Sequence, residues 1–217
     1  MTSFTGSPYL IKGGIVLVDP QTSAIQKVIA LQYNPDTLTR TMQVHGTGGE
    51  GNSRSEALRL TGPPTETIKL EAEIDGTDQL EAADKLTSKV GIQPQLAALE
   101  MMIYPTSGHL IANNNIAKVG TIEIAPMESS LALFIWNANR IIPVRITEFS
   151  ITEEAFDVNL NPIRAKVSLG MRVLNIDDLG FNNKGGNLYM SYQQNKESLA
   201  AMFISGSLSK LGIKAIV

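Results

Sequence analysis

Glu66-Thr67-Ile68-Lys69-Leu70-Glu71-Ala72-Glu73-Ile74-Asp75 alternates without a break: Ile68, Leu70, Ala72 and Ile74 share one face, and Thr67, Lys69, Glu71 and Glu73 share the other. Successive side chains of a strand point to opposite sides of a sheet, so this pattern predicts a strand with one face on a core and one on water or a partner. The pattern returns over 164–174, where Ala165, Val167, Leu169, Met171 and Val173 oppose Arg164, Lys166, Ser168 and Arg172. Strands this long suit an antiparallel sheet. Between 141 and 151 the phase slips, with Val144 and Ile146 at even positions but Phe149 and Ile151 at odd ones. That slip predicts a bulge near Thr147 or Glu148.

Outward from these two strands, further strand patterns cover 10–18, 25–33, 37–45, 57–61, 119–124 and 131–136. The last is apolar on both faces, Leu131, Leu133 and Ile135 against Phe134 and Trp136, which fits a strand covered by the core and again by a helix or a neighbouring subunit. Trp136 reads as core and not as a ligand site. Helical spacing marks 77–90, where Leu80, Ala83, Leu86 and Val90 form a stripe after Thr77 as N-cap, ended by Gly91. A second short helix starts near Pro94, points Leu96, Leu99 and Ile103 inward and stops before Pro105. After Asp177, Gly180, Asn182, Asn183, Gly185, Gly186 and Asn187 read as a linker, followed by a terminal helix carrying Leu188, Tyr192, Leu199, Met202 and Phe203.

The chain of 217 residues, 43 % hydrophobic, is long enough to bury a core without a staple. It holds no cysteine and only His45 and His109, which excludes disulfides, thiol nucleophiles and imidazole-rich metal cages. Net charge is −3 with no long block of either sign, which argues against nucleic-acid recognition. Residues 1–7 carry no lysine or arginine, and the apolar run 15–18 ends at Asp19-Pro20, so neither a signal peptide nor direct membrane insertion is expected and the chain is expected to start in the cytoplasm. A charged fraction of 18 % is low for a free monomer and hints at surface that meets other subunits.

Candidate chemistry fails on spacing. Gly46, Gly48, Gly49 and Gly51 suggest a phosphate loop, but no Gly-Lys-Ser/Thr follows, and an apparent strand comes next instead of a helix. The segment reads as a long loop between two strands, with Glu50, Arg54 and Glu56 solvated until a partner orders them. Glu153-Glu154 and Asp177-Asp178 are adjacent carboxylates, and neighbours on a strand face opposite ways, so neither pair is built for shared acid and base work. His45 and His109 fall in polar loops with no orienting pattern. Ser129-Ser130 lacks the Gly-x-Ser-x-Gly elbow. No catalytic, cofactor or metal site is expected, and the protein is not expected to be an enzyme.

Residues 31–40, Leu-Gln-Tyr-Asn-Pro-Asp-Thr-Leu-Thr-Arg, read as strand, turn and strand. This hydrophobic-Gln-Tyr-Asn-Pro-x-x-Leu signature resembles the N-terminal domain of the contractile injection system tube proteins, the tube-initiator or baseplate hub components of phage-tail-like particles. Three further features follow in that family's order. Gly62 and the alternating strand ending in Asp75 resemble its Gly-x-x-x-hydrophobic strand with a terminal acid. Residues 79–104 resemble its helical insertion. Residues 149–167, with Phe156, Leu160, Asn161-Pro162 and Arg164-Ala165-Lys166-Val167, resemble its late hairpin. The hairpin has Asn161 where a glycine is common, and Asn also tolerates left-handed backbone. Many larger members carry a C-terminal LysM module, and about forty residues after Asp177 are too few for one.

The resemblance implies a mainly β, α+β fold: an antiparallel barrel or sandwich over 1–178 with a flanking helical segment, then a linker and helical extension over 179–217. It also implies a homo-hexamer around a channel, joining the inner tube to the spike and baseplate, with inner tube proteins, the hub and baseplate components as partners. Lys69, Glu71, Glu73, Arg164, Lys166 and Arg172 are candidates for lumen or ring-facing positions. Gly46, Gly48, Gly49, Glu50 and Arg54 are candidates for a ring-stacking loop, and Leu188, Tyr192, Leu199, Met202 and Phe203 for docking of the tail on an adjacent subunit or baseplate protein. Docking of the tail back on its own barrel is the alternative. The bulk inner-tube protein is the close functional rival and a cell-wall hydrolase the remote one. The terminal extension favours the adaptor over the bulk tube.

Overall fold

A computed structural model describes residues 10–46, 60–118, 130–204 and 206–213. Seven strands, β1 (Gly14–Val18), β2 (Ile25–Ala30), β3 (Leu38–Gln43), β4 (Thr65–Asp75), β5 (Leu131–Asn137), β6 (Arg140–Phe156) and β7 (Pro162–Val173), make one sheet in the order β2-β1-β5-β6-β7-β4-β3. Every pairing is antiparallel. The alternation that marked β4 and β7 sets their faces: Ile68, Leu70, Ala72 and Ile74 are buried, as are Ala165, Val167, Leu169, Met171 and Val173. The register of β6 on β7 shifts between Ile146 and Glu148, so the expected bulge is at Thr147.

The sheet is open, which corrects the barrel or sandwich expected above. Among the described residues β2 and β3 each lack a neighbour on their outer side. The sheet nonetheless wraps its core: Ile29 of β2 and Leu38 of β3 pack on one apolar cluster, and the Gln32 side chain donates to Asp75 O at 2.6 Å and accepts from Asp75 N at 3.0 Å. A helix packs on the core beside this opening. Helices α1 (Thr77–Glu81), α2 (Lys85–Val90) and α3 (Gln93–Glu100) follow β4, and Leu96 and Leu99 of α3 are core residues, with Leu99 lining a recess of about 380 Å³ between β2 and β4.

The single helix expected over 77–90 is two. Asp84 accepts from Thr87 N at 2.8 Å and Thr87 Oγ1 at 2.9 Å, a cap that starts α2 afresh, and Ala83 before it sits at φ +52°. The break turns Leu86 outward, 58 % exposed, and α1 has Gly76, not Thr77, at its N-cap. Gly91 ends α2 as expected, at φ +60°, where an added Cβ would lie 2.2 Å from Pro162 O. In α3, Leu96 and Leu99 are buried, whereas Ile103 beyond its end is exposed. An unforeseen helix, α4 (Ser107–Lys118), carries His109, which the sequence placed in a loop. Residues 57–59 and 119–124 of two expected strands lie outside the described residues, and Leu60 forms only an isolated bridge to Gly46.

Strand β5 is covered twice, as its composition required. Ala132 and Phe134 face the main core, Trp136 packs partly buried against it, and Leu131 and Leu133 form a second cluster with Val18, Leu179 and Leu188. The second cover comes from α5 (Ile176–Leu179) and α6 (Lys184–Ala201). Gly185 and Gly186, which read as linker, are buried in the first turn of α6. A Cβ on Gly186 would stand 1.9 Å from Gly180 O, so glycine is what lets α6 double back on α5. The division at 178/179 falls inside α5.

Candidate assembly surface

The outer face of β4, β7 and β6 is a lattice of charge built by register. Glu73 stands opposite Lys166 and Asp75 opposite Arg164, while Lys69, Gly170 and Glu148 lie in one cross-strand row. Gly170 has no side chain to block that row, so Lys69 Nζ reaches Glu148 at 2.6 Å. Arg164 bonds Asp75 at 2.8 Å and approaches Glu73 at 3.7 Å, and Lys166 pairs with Glu154 at 3.2 Å. Hydrogen bonds from Thr77, then the Arg164 guanidinium, hold the Asp75 carboxyl below its ordinary range. Exposed pairs of this kind are screened by water and contribute little. Their effect is to order the face more than to stabilise it.

The structure therefore brings Lys69, Glu71, Glu73, Arg164, Lys166 and Arg172 onto one face. Arg172 is tied down at its end by both carboxylate oxygens of Asp178 in α5, at 2.9 and 3.0 Å. The β3 edge borders this face next to β4, and the β2 edge lies beyond β5 and β1; among the described residues neither has a neighbour on its outer side. Strand β2 carries exposed Ile25 and Val28, and β3 carries exposed Met42, followed by exposed Val44. Edges of this sort expose a row of backbone donors and acceptors that is a ready template for another strand.

At the end of the sheet where β4 begins, α6 covers the core through a buried polar cluster. Glu66 is 4 % exposed, although it is charged. It accepts from Arg40 Nε at 2.7 Å and Tyr192 O–H at 3.0 Å, Lys196 Nζ stands 3.7 Å away, and Arg40 Nη2 also donates to Tyr192 Oη at 2.9 Å. Burial first, then the Glu66 charge, push the Tyr192 phenol up to about 12. Burial lowers Lys196, with Glu66 opposing it, and Lys196 also sits 4.2 Å above the Tyr192 ring. For Arg40, burial disfavours the charge but the bond to Glu66 outweighs it, and the guanidinium is raised. The sequence reading left Glu66 without a role. Its signal was the phase of β4, since Glu66 shares a face with Ile68 and Leu70 and so had to be buried.

Of the tail residues, Tyr192 is buried in the main core and Leu188 packs on the second cluster, whereas Leu199, Met202 and Phe203 are exposed. Of the loop candidates, Gly46 bridges Leu60, and Gly48, Gly49, Glu50 and Arg54 lie outside the described residues. His45 Nε2 meets Thr65 Oγ1 at 2.8 Å. Among the described residues no group of three or more His, Asp or Glu is placed to hold a metal, and no helix is long and apolar enough to cross a membrane.

No protein-family model matches the chain, and no curated protein matches it. Among solved structures it is similar to a chain in the tail of an empty GTA (gene transfer agent) particle refined with C6 symmetry, at 13 % identity and a TM-score of 0.29, covering 75 % of this chain and 90 % of that one. A likeness this loose leaves function to be reasoned from the surface itself.

Proposed function

We propose that this chain is a structural, non-enzymatic subunit of a phage-tail-like contractile particle, six copies closing into a ring around a channel that joins the inner tube to the spike and baseplate. The observation that supports it is the open sheet. Its two unpaired edges differ, so pairing β2 of one copy with β3 of the next is a heterologous contact, the kind that closes by rotation. The charged face of β4, β7 and β6 would then recur once per copy round the ring, alternating with the helix-covered β5 and β1, and would suit a wet lumen. The number six and the particle come from the motif resemblance in residues 31–40, 62–75 and 149–167. Inner tube, hub and baseplate proteins are the partners this reading requires, and assembly in the cytoplasm is the setting it assumes.

A second reading, the bulk tube subunit, gains from one observation. The start of α6 is part of the fold, with Tyr189 and Tyr192 in the core, so the terminal extension is not a spare adaptor arm. Gly46 and Leu60, which flank residues 47–59, form an isolated bridge, and the segment between them remains the proposed stacking loop. Electron microscopy of the purified protein, with copy number per particle, tests both. Six-fold rings support the ring reading, and one ring or many per particle separates adaptor from tube. Monomers at every concentration, with no particle association, would reject it.

A further inference from the structure

One margin of the sheet leaves peptide groups unused. Leu31 N donates to Gly13 O at 2.9 Å, and the register of β1 on β2 sets Ile15 opposite Ile29, so Ile29 and Leu31 turn their backbone groups towards β1. In an antiparallel ladder the residues in between point the other way. The N–H and C=O groups of Val28 and Ala30 therefore face outwards, where β2 has no neighbouring strand among the described residues. They lie two residues apart, the spacing at which one extended chain can bond both.

Against the same edge lies the recess of about 380 Å³, which Val28 and Ala30 themselves line. Its deep wall is apolar, made by Leu31, Ala72, Leu99 and Leu169 of the main core. Lys27 and Glu73 also line it with opposite charges, so neither sign is favoured, and the apolar wall suits an uncharged group. Ala98 of α3 adds only a methyl group, which leaves room for a large side chain from outside. Strand β3 of a second copy suits the edge better than the recess. On its core-facing side Leu38 and Arg40 are engaged in their own subunit, and only Met42 is free.

We propose that the β2 edge and its recess bind an extended, uncharged peptide segment of a different protein, whose backbone pairs with Val28 and Ala30 and whose one large apolar side chain fills the recess. In such a contact the main-chain hydrogen bonds supply affinity and the pocket supplies selectivity. Because the strand and the recess are already formed, the ordering cost falls on the peptide alone. The binding itself stands apart from the ring reading, and its consequence rests on that reading. A bound peptide takes the edge that β3 of the next copy would use, so it holds the subunit out of the ring until it is displaced.

The test titrates the full-length protein with the blocked peptide acetyl-Ser-Thr-Leu-Thr-Ser-amide, followed by peptide-observed NMR. This peptide should bind saturably, and the same peptide with alanine at its centre should bind about tenfold or more weakly. Val28→Pro removes an outward N–H that the fold does not use, and Ala98→Phe fills the recess from α3. Each should keep its far-ultraviolet spectrum and weaken the leucine peptide about tenfold or more; should Ala98→Phe fail to fold, Ala98→Leu repeats the measurement with a smaller filler. No saturable binding, or binding that either variant leaves unchanged, would overturn the proposal whatever the state of the rings. Saturating peptide should also reduce the rings counted by electron microscopy. Rings that persist with peptide bound would overturn the competition and the β2-to-β3 pairing while the docking stands, and absence of rings without peptide would overturn the ring reading alone.

Discussion

Replacing Arg40 by Met tests how α6 is seated. The Glu66 carboxylate, with its side chain 5 % exposed, would keep only the Tyr192 hydroxyl and Lys196 at 3.7 Å. Stripping a buried carboxylate of its partners costs about 3–5 kcal/mol. Two remaining partners, and the 22 % exposure of Arg40, which lets water screen the lost attraction, reduce that to about 2–3 kcal/mol. Glu66→Leu should cost less, about 1–2 kcal/mol, because Arg40 can turn to water while only the Tyr192 hydroxyl loses an acceptor. The double variant should cost about 1 kcal/mol, since the buried charge and its partner go together, which gives a non-additivity of roughly 2–4 kcal/mol. Urea denaturation at low protein concentration measures each value, and the Arg40→Met melting temperature should fall by roughly 5–10 °C for a chain of this length. A loss below about 0.5 kcal/mol for Arg40→Met, or losses that simply add, would refute the seating of α6 on β3 and β4.

Truncation after Asn183 should sharply lower the denaturation midpoint, because it removes Tyr189 and Tyr192 from the core, whereas truncation after Ser198 removes residues that, where described, are exposed and should leave it within about 1 kcal/mol. Glu71→Ala and Lys166→Ala should each change stability by under about 1 kcal/mol and Leu169→Ala by about 2–5 kcal/mol in the same assay; equal losses would mean inverted strand faces. The Tyr192 phenol is raised from 10.0 to about 12, so its contribution is complete below pH 10 and is lost as pH climbs from 10 towards 12; tyrosinate absorbance and helix content should change together there, and Tyr192→Phe should abolish that component. The Asp75 carboxyl is lowered, so its contribution is present above its ordinary value of 3.8 and is lost as pH falls through the lower folded value; acid unfolding of Asp75→Asn should show a weaker pH dependence.

What was legible in the sequence is what local pattern alone determines. Ile68 to Ile74 and Ala165 to Val173 fall inward because a strand has a fixed period, the slip at 146–149 is a bulge for the same reason, and the doubly apolar β5 had to be covered twice. Closure of the sheet was not legible, because it depends on whether β2 meets β3, a pairing between edges that alternation within each strand does not encode. The glycines at 185 and 186 misled for a related reason: glycine marks both freedom and close approach, and only the carbonyl of Gly180 reveals which. The split at Ala83 was readable in Asp84 and Thr87, a cap that outweighs the continuing apolar stripe. On the assembly surface the charged face followed from alternation, whereas the buried Glu66 cluster needed Arg40, Tyr192 and Lys196 brought together from distant parts of the chain.

The strand order β2-β1-β5-β6-β7-β4-β3 also sets the order of events by which the chain can fold. Strands β5, β6 and β7 are consecutive and form a meander from short loops, whereas β1 must find β5, with Ile15 opposite Phe134, across half the chain, and β4 must find β7 with Leu70 opposite Leu169. The central meander is therefore the cheapest nucleus, and the two outer hairpins add to its flanks at the cost of long loops. Strand β2 enters with β1 and β3 with β4, so both margins of the sheet are completed only when these hairpins dock on the central meander.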